Sequence, residues 1–252
     1  MRELFAKAGY YEVNIDPDLR LIVLNTNLFS QKATGTGVEQ AADGELNWLE
    51  QTLRSAKTNN QKVIIIEHIP DSVDVFASLK QQPFSVVPML KPQYTERYQS
   101  ELQTYPEVIS GILSAHSHLD GFQLVANRAV LVSSTPGIST LFSNNSAYKI
   151  YFYDAKTLQL TNYETYFYDV ADQGNWQKEY DFNQAYQPDC QNCQIINGML
   201  KLQPQGDLAD KYKHYFSVGT DSQPITTKWQ PYYWCQIFNV KVEGYTFCVG
   251  QI

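Results

Sequence analysis

The chain has 252 residues, of which 43% are hydrophobic and 18% charged, with a formal net charge of −7 at pH 7. This is enough apolar material for one α/β domain or for one and a half smaller ones. The acidic balance and the lack of a basic cluster argue against a nucleic-acid partner. No apolar run approaches the roughly 20 residues that a bilayer span requires. Residues 1–6 lack an apolar core of signal-peptide length, so no export signal is expected there and the location of the protein stays open.

The first predicted unit is a strand, a helix and a second strand. Residues 20–27 form an apolar run that predicts a buried strand, and residues 63–66 predict another. Between them, Asp43 or Gly44 is expected to cap a helix. Residues at spacings of three and four give this helix one apolar face, and they are Leu46, Leu49, Leu53 and Ala56. We therefore expect a β-α-β unit with parallel strands and a right-handed crossover.

The middle of the chain predicts a loop, a helix and a series of strands. Three prolines within residues 72–92 favour an irregular loop, which a helix over 93–102 and a strand over 108–113 follow. Four later segments alternate like antiparallel strands, and they are 122–126, 129–133, 147–153 and 159–168. Residues 154–157 fit a hairpin connection between the last two.

From residue 173 onward the composition changes, because Gln, Asn, Tyr and Trp become dense and apolar periodicity fades. We predict helical pieces over 176–186 and 208–215, and we place a boundary between residues 172 and 173. All four cysteines lie in this last part, and they are Cys190, Cys193, Cys235 and Cys248. Disulfides are favoured over a structural zinc, with three pairings open and free thiols as a further alternative if the chain stays in the cytoplasm.

Three of the four histidines come just after predicted strands. His68 follows residues 63–66, and His116 and His118 follow residues 108–113 at a spacing that points two extended side chains to the same side. A single histidine of this kind is more often an ordinary hydrogen-bonded loop residue. Three at matching positions favour a metal site. His214 lies between two polar residues and is predicted to be an ordinary surface histidine.

With these residues assembled, the chain resembles the calcineurin-like metallophosphoesterases, and among them the acid sphingomyelinase-like phosphodiesterases. The matching stretches, in order, are Leu24-Asn25-Thr26-Asn27, Gly44-Glu45-Leu46-Asn47-Trp48-Leu49, His68-Ile69-Pro70, His116-Ser117-His118-Leu119-Asp120-Gly121-Phe122, and Thr135-Pro136-Gly137 through Tyr148. The resemblance implies an α/β (α+β) fold, part of a metallophosphoesterase β-sandwich flanked by helices, with a small helical or irregular C-terminal region. Residues 1–172 would be the C-terminal half of the phosphoesterase domain, and 173–252 the acid sphingomyelinase-like C-terminal region.

The resemblance also implies a role for the three histidines. By position, His68 and His116 resemble the pair that ligates one metal, and His118 resembles a ligand of the other, the metal usually being zinc. In the intact family site two such ions activate a water that attacks phosphorus. The second nitrogen of each imidazole would need a hydrogen-bond acceptor.

The chain departs from the family pattern in two ways. Ala115 and Glu67 stand where glycine usually precedes the histidines, and Asp71 replaces a proline. The side chain of Glu67 is free to point away, to accept a hydrogen bond from a ligand, or to crowd the site. The Asp-x-His, Gly-Asp and Gly-Asn-His-Glu motifs that bring the family's other ligands are missing, and Met1 lies about where the second half of such an enzyme would begin. We therefore expect an exposed strand edge and an uncovered apolar face.

Three hypotheses follow. In the first, the chain is the C-terminal portion of a phosphodiesterase that acts on a phosphodiester such as sphingomyelin or a nucleotide. It holds at most one zinc and is inactive until a separate N-terminal half or an upstream segment supplies the other ligands. Alternatively, it is a non-catalytic remnant or binding module for a phosphate-bearing lipid or nucleotide. The third hypothesis is a mono-zinc hydrolase that uses the three histidines alone.

Overall fold

A computed structural model of the chain describes residues 2–169, 174–190, 193–220 and 225–251. The strands in these ranges are β1 (Tyr11–Asp16), β2 (Leu19–Val23), β3 (Lys62–Ile66), β4 (Ile109–Ser114), β5 (Gly121–Val125), β6 (Val130–Ser134), β7 (Ser146–Tyr153), β8 (Leu160–Asp169) and β9 (Asn175–Asp181). The helices are α1 (Arg2–Ala8), α2 (Val38–Thr58), α3 (Val75–Leu79), α4 (Pro92–Thr104), α5 (Phe182–Tyr186), α6 (Ile195–Met199), α7 (Asp207–Phe216), α8 (Gln230–Phe238) and α9 (Val242–Val249). Within the same ranges, no helix combines the length and apolar character needed to traverse a lipid bilayer.

A six-stranded sheet with the order β1-β2-β3-β4-β6-β5 forms the centre of the fold. Strands β2, β3, β4 and β6 run parallel to one another, and β1 and β5 are antiparallel to their neighbours. The predicted β-α-β unit is confirmed, with α2 connecting β2 to β3. Because β3 and β4 are parallel neighbours, the chain leaves both at the same edge of the sheet.

Each face of this sheet is covered by a different layer. Helices α2 and α4 cover one face, where the predicted apolar stripe of α2 is buried, with Leu49 and Leu53 at 0% exposure. Each such leucine stabilises the fold by about 1.5–3 kcal/mol. On the other face lie a three-stranded antiparallel sheet, β7-β8-β9, and the C-terminal helices. The mixed α/β class, with two packed sheets and flanking helices, is confirmed.

Two boundaries in the first half differ from the prediction. Helix α2 begins at Val38 rather than at residue 43 or 44, with Gly37 before it at a φ of 83°. Its first two turns offer only Val38 and the small residues Ala41 and Ala42 as apolar positions, so the apolar pattern becomes strong only at Leu46. The predicted loop 72–92 contains helix α3, whose first turn is capped by the Asp74 carboxylate accepting a hydrogen bond from the backbone N–H of Ala77 at 2.8 Å.

The prediction of a helix over 176–186 is wrong in its first part. Strand β9 occupies most of this stretch and pairs with β8, and only α5 is helical. Pairing with the preceding strand β8 overrides the weak local preference of this polar stretch. The helix predicted over 208–215 is confirmed as α7, and His214 is exposed there as expected.

The cysteines form two local cross-links. Cys190 pairs with Cys193, and Cys235 pairs with Cys248, which joins α8 to α9. The preference for disulfides over a structural zinc is confirmed. The boundary placed between residues 172 and 173 lies outside the described residues.

Strand β7 lies at one edge of the three-stranded sheet. Alternate side chains on it are exposed, and these include Tyr148, Ile150 and Phe152 at 37%, 41% and 42%. Among the described residues β7 has no strand partner on its outer side, and part of an apolar face is open to solvent there.

Candidate functional site

The ends of two parallel strands bring His68 and His116 together. His68 follows β3 and His116 follows β4, and the backbone N–H of Ala115 donates to the carbonyl of His68 at 3.1 Å. As a result, Nδ1 of His116 lies 3.4 Å from Nε2 of His68, with the ring planes at 82°. Both side chains are exposed at the rim of the sheet.

The spacing of these two nitrogens fits a shared metal ion. Two nitrogens that each lie about 2.0–2.1 Å from a tetrahedral zinc are about 3.3 Å apart. The same distance also admits an N–H···N hydrogen bond between two neutral rings. Partial burial of the ring and the neighbouring His68 lower the pKa of His116, which favours the neutral imidazole that either arrangement uses.

His118 lies against a different set of neighbours. Its Nδ1 is 3.3 Å from the carbonyl oxygen of Ser139, and its ring meets that of Phe142 edge-on at 5.0 Å between centroids. An N–H donated from Nδ1 to this carbonyl leaves Nε2 unprotonated and able to bind a metal. Gly137 permits this packing, because a β-carbon there would lie 2.7 Å from Nδ1 of His118.

In the part of the chain that the structure describes, no three His, Cys, Asp or Glu side chains form a group that could hold a metal. The structure thus brings His68 and His116 together and does not add His118 to the same ligand group. The assignment of all three as metal ligands stays a prediction.

The backbone is strained at two of these histidines. His116 and His118 have φ angles of 70° and 62°, in the left-handed region. This region costs a residue with a side chain about 1–2 kcal/mol, and such strain concentrates at functional sites. Ala115 is not among the described residues with positive φ, so alanine is accommodated where the family pattern has glycine.

Of the three orientations considered for Glu67, the structure shows the one in which the side chain points away from the histidines. Its carboxyl group is buried under α4 and accepts a hydrogen bond from the hydroxyl of Tyr98 at 2.7 Å. Burial raises the pKa of Glu67 to about 8, although the Tyr98 hydrogen bond opposes the shift. Asp71 is also buried on this side, where it accepts hydrogen bonds from Thr95 and Gln99.

A buried ion pair holds the segment just after His118. The Nζ of Lys149, on β7, lies 2.7 Å from Oδ1 of Asp120, and the two side chains are 0% and 1% exposed. The hydroxyl of Thr165 donates to the other oxygen of Asp120 at 2.7 Å. Sequence reasoning missed this pair, although a lysine at an inward position of an apolar strand was a signal for a buried partner.

A cavity of about 380 Å³ opens beside His116, and we call it the His116 cavity. Residues that line it include Lys32, Ser72, Asp74, His116, Phe122 and Gln123. Lys32 and His116 are exposed at its mouth, whereas Ser72, Phe122 and Gln123 are buried at its floor. Sequence reasoning missed the cavity, but a glutamine inside the apolar strand β5 was a signal for it.

Comparison with known proteins shows which family the chain resembles. Residues 123–252 match the family described as the acid sphingomyelin phosphodiesterase C-terminal region. The chain is 28% identical, over 97% of its length, to cyclic GMP-AMP phosphodiesterase SMPDL3A of Bos taurus. It is 24% identical, over 98% of its length, to sphingomyelin phosphodiesterase A of Dictyostelium discoideum.

These relatives are longer than the chain. The matched region covers 57% of the bovine protein and 43% of the Dictyostelium protein. A solved structure from Staphylococcus aureus, provisionally named a 5'-nucleotidase, is similar with a TM-score of 0.30 and 10% identity, over 68% of this chain and 28% of that chain.

Proposed function

Since this chain belongs to the acid sphingomyelin phosphodiesterase C-terminal region family, we propose that it carries part of the active site of a phosphodiester hydrolase of the sphingomyelinase type. The observation that carries the proposal is the approach of His68 and His116 to 3.4 Å at the ends of two parallel strands. The substrate would be a phosphodiester of the kind that the relatives' names specify, such as sphingomyelin or a cyclic dinucleotide.

His68 and His116 would hold one divalent ion, for which zinc is the expected metal because imidazole nitrogen suits it. His118, oriented by the carbonyl of Ser139 and by the close approach of Gly137, would serve a second ion in a complete site. When bound, such ions supply an activated water for attack on phosphorus and neutralise charge on the phosphoryl oxygens. The histidines contribute neutral nitrogens held at fixed positions by the sheet.

The ligand set of this chain is incomplete for two ions, because no carboxylate joins the histidines in the described ranges. Two metals at about 3.5–4 Å repel each other and need a bridging anion. We therefore propose that a further polypeptide segment supplies the remaining ligands and that the chain alone is inactive. The greater length of the relatives supports this partner.

The test is reconstitution. The part of bovine SMPDL3A that this chain does not match is expressed separately, mixed with the chain and zinc, and assayed with bis(p-nitrophenyl) phosphate. Activity is expected from the mixture and from neither part alone. His116→Ala should reduce it by more than about a hundredfold, because a ligand is lost. His214→Ala, which removes an exposed histidine on α7, serves as the matched control and should leave the rate unchanged. A reconstituted enzyme indifferent to His116→Ala would refute the assignment.

A second function, a binding module without catalysis, is favoured by the absence of a third ligand beside His68 and His116 in the described ranges. It predicts that calorimetry detects no zinc binding, with or without the added segment, while a phosphate-bearing ligand still binds. Zinc binding that is lost in His68→Ala would exclude it.

A further inference from the structure

A row of apolar side chains on the six-stranded sheet is only partly covered. Val23, Ile66 and Leu113 are partners in register on β2, β3 and β4, so their side chains lie side by side on one face. All three residues are half-buried. Their chain neighbours Ile22 and Ile65 point to the opposite face, under α2, and are 0% exposed. Parallel strands are normally covered on both faces, so this row lacks a layer in the part of the chain that the structure describes.

Strand β7 marks the boundary of the covered part of the row. The next position along the row is Ser133 on β6, which is in register with Leu113. Ser133 is 0% exposed and lies under β7, where Nζ of Lys149 and the hydroxyl of Tyr151 donate to its Oγ at 3.1 and 3.0 Å. Because β7 is an edge strand, the cover that it provides stops at its free edge, and the half-buried residues lie beyond this edge.

The free edge of β7 is open to strand addition. The backbone N–H of Ala147 donates away from β8, to the carbonyl of Gly137 at 3.2 Å, so the alternate residues Lys149 and Tyr151 also direct their backbone groups to this edge. Lys149 is half-buried as a residue although its side chain is 0% exposed, so its open surface is main chain. Strand β7 has no proline, and its one charged side chain points inward to Asp120. It therefore lacks the features that usually protect an edge strand from pairing.

This surface adjoins the histidines. The row lies two residues before His68 on β3 and three residues before His116 on β4. The start of β7 lies beside His118, because the backbone N–H of Gly137 donates to the carbonyl of His118 at 3.1 Å and the carbonyl of Gly137 accepts from Ala147. A strand that pairs along β7 would therefore have one of its ends at the histidines.

We propose that the free edge of β7 and the row of Val23, Ile66 and Leu113 form the docking surface for the polypeptide segment that supplies the missing ligands. This segment adds a β-strand to β7 and places apolar side chains on the row. The inference rests on the proposed function for the identity of the partner. The matched region covers 57% of bovine SMPDL3A, so that relative has a further segment of its own.

A second copy of the chain is a poorer occupant of this surface. The inward side chains of its own β7, Lys149 and Tyr151, already contact its own Ser133. They are therefore not free to cover the row of another copy. A separate segment has no such prior contacts.

The test uses the part of bovine SMPDL3A that this chain does not match as the probe. It is co-expressed with the tagged chain and purified with it in chelator, and a one-to-one complex is expected. In hydrogen exchange followed by mass spectrometry, residues 147–152 should exchange at least about tenfold more slowly in the complex than in the chain alone, because the added strand accepts from the open N–H groups. Strand β9, the other edge of the same sheet, is the internal control and should be unchanged.

A pair of variants tests the row itself. Val23→Lys places a charge on the row and should reduce the amount of co-purified probe at least about tenfold, because an unpaired ammonium would be buried in the interface. Val249→Lys is the matched control. It makes the same substitution at another half-buried valine, on α9, which packs against α8 beside β5 at the far end of the large sheet. This variant should retain as much probe as the wild type.

Four results would overturn the proposal. They are the absence of a complex, a complex in which β7 is protected no more than β9, equal losses in the two valine variants, and a dimer of the chain alone that protects β7, which would assign the surface to a second copy. If Val23→Lys does not fold, the exchange comparison on the wild-type chain decides. Zinc and bis(p-nitrophenyl) phosphate are then added to the complex. Protection of β7 without hydrolysis would refute the proposed hydrolysis alone, whereas hydrolysis without protection of β7 would refute the docking surface alone.

Discussion

Replacing Lys149 with methionine should destabilise the protein strongly, because it would strand the buried carboxylate of Asp120. The two groups lie 2.7 Å apart with side chains 0% and 1% exposed, and Nζ of Lys149 also donates to the carbonyl of Ser134 at 2.9 Å. Removing one partner of a fully buried pair costs about 3–5 kcal/mol. In a protein of this size each kcal/mol lowers Tm by about 2–4 °C, so the expected loss is about 6–20 °C.

Thermal unfolding followed by circular dichroism measures this loss. The double variant Lys149→Met with Asp120→Asn removes both charges and should be more stable than Lys149→Met alone. Lys178→Met is the control, since it breaks the exposed pair with Glu164 and should cost less than about 1 kcal/mol. If Lys149→Met lowered Tm no more than Lys178→Met does, the reasoning from burial would be refuted.

Three further predictions concern other parts of the fold. Burial raises the pKa of Glu45 to about 8 from 4.5, so the folded protein keeps a proton that the unfolded chain loses, and stability should fall as pH rises across this window. In urea unfolding at several pH values, Glu45→Gln should reduce the change in the free energy of unfolding with pH by up to about 1.4 kcal/mol per pH unit. If the free energy of unfolding of the variant fell with pH as steeply as that of the wild type, the prediction would be contradicted. Gly137→Ala should displace the ring of His118 and weaken zinc binding by about tenfold in the reconstituted enzyme without unfolding it. An unchanged zinc affinity would show that the position of this ring does not matter. Replacing Cys235 and Cys248 together with alanine should cost about 3 kcal/mol in chemical unfolding, because their bridge, at a sequence separation of 13, constrains the unfolded chain. The double variant still has the bridge between Cys190 and Cys193, so reducing agent applied to it measures the contribution of that bridge alone. If replacing Cys235 and Cys248 lowered the free energy of unfolding by no more than this, the prediction would be refuted.

The sequence was informative where the signal is local. Apolar periodicity predicted the β-α-β unit, and the ends of its second strand and of β4 correctly placed His68 beside His116. Features that depend on partners far apart in the chain were not predictable in this way. The ion pair of Asp120 and Lys149 joins the residue just before β5 to a strand of the other sheet. Strand β9, which follows β8 directly, was missed for another reason, because its mostly exposed polar residues show no apolar alternation.

The disulfide between α8 and α9 has a consequence for the His116 cavity. Gln236, which adjoins Cys235 on α8, donates hydrogen bonds to Ser72 and to the carbonyl of Val73, and so ties α8 to the cavity floor. In a compartment rich in glutathione, a bridge of this kind is open to thiol exchange. The helix would then keep its place by packing and by these amide contacts alone. Reduction of the bridge should therefore loosen the floor of the His116 cavity, although no cysteine is among the described residues that line it.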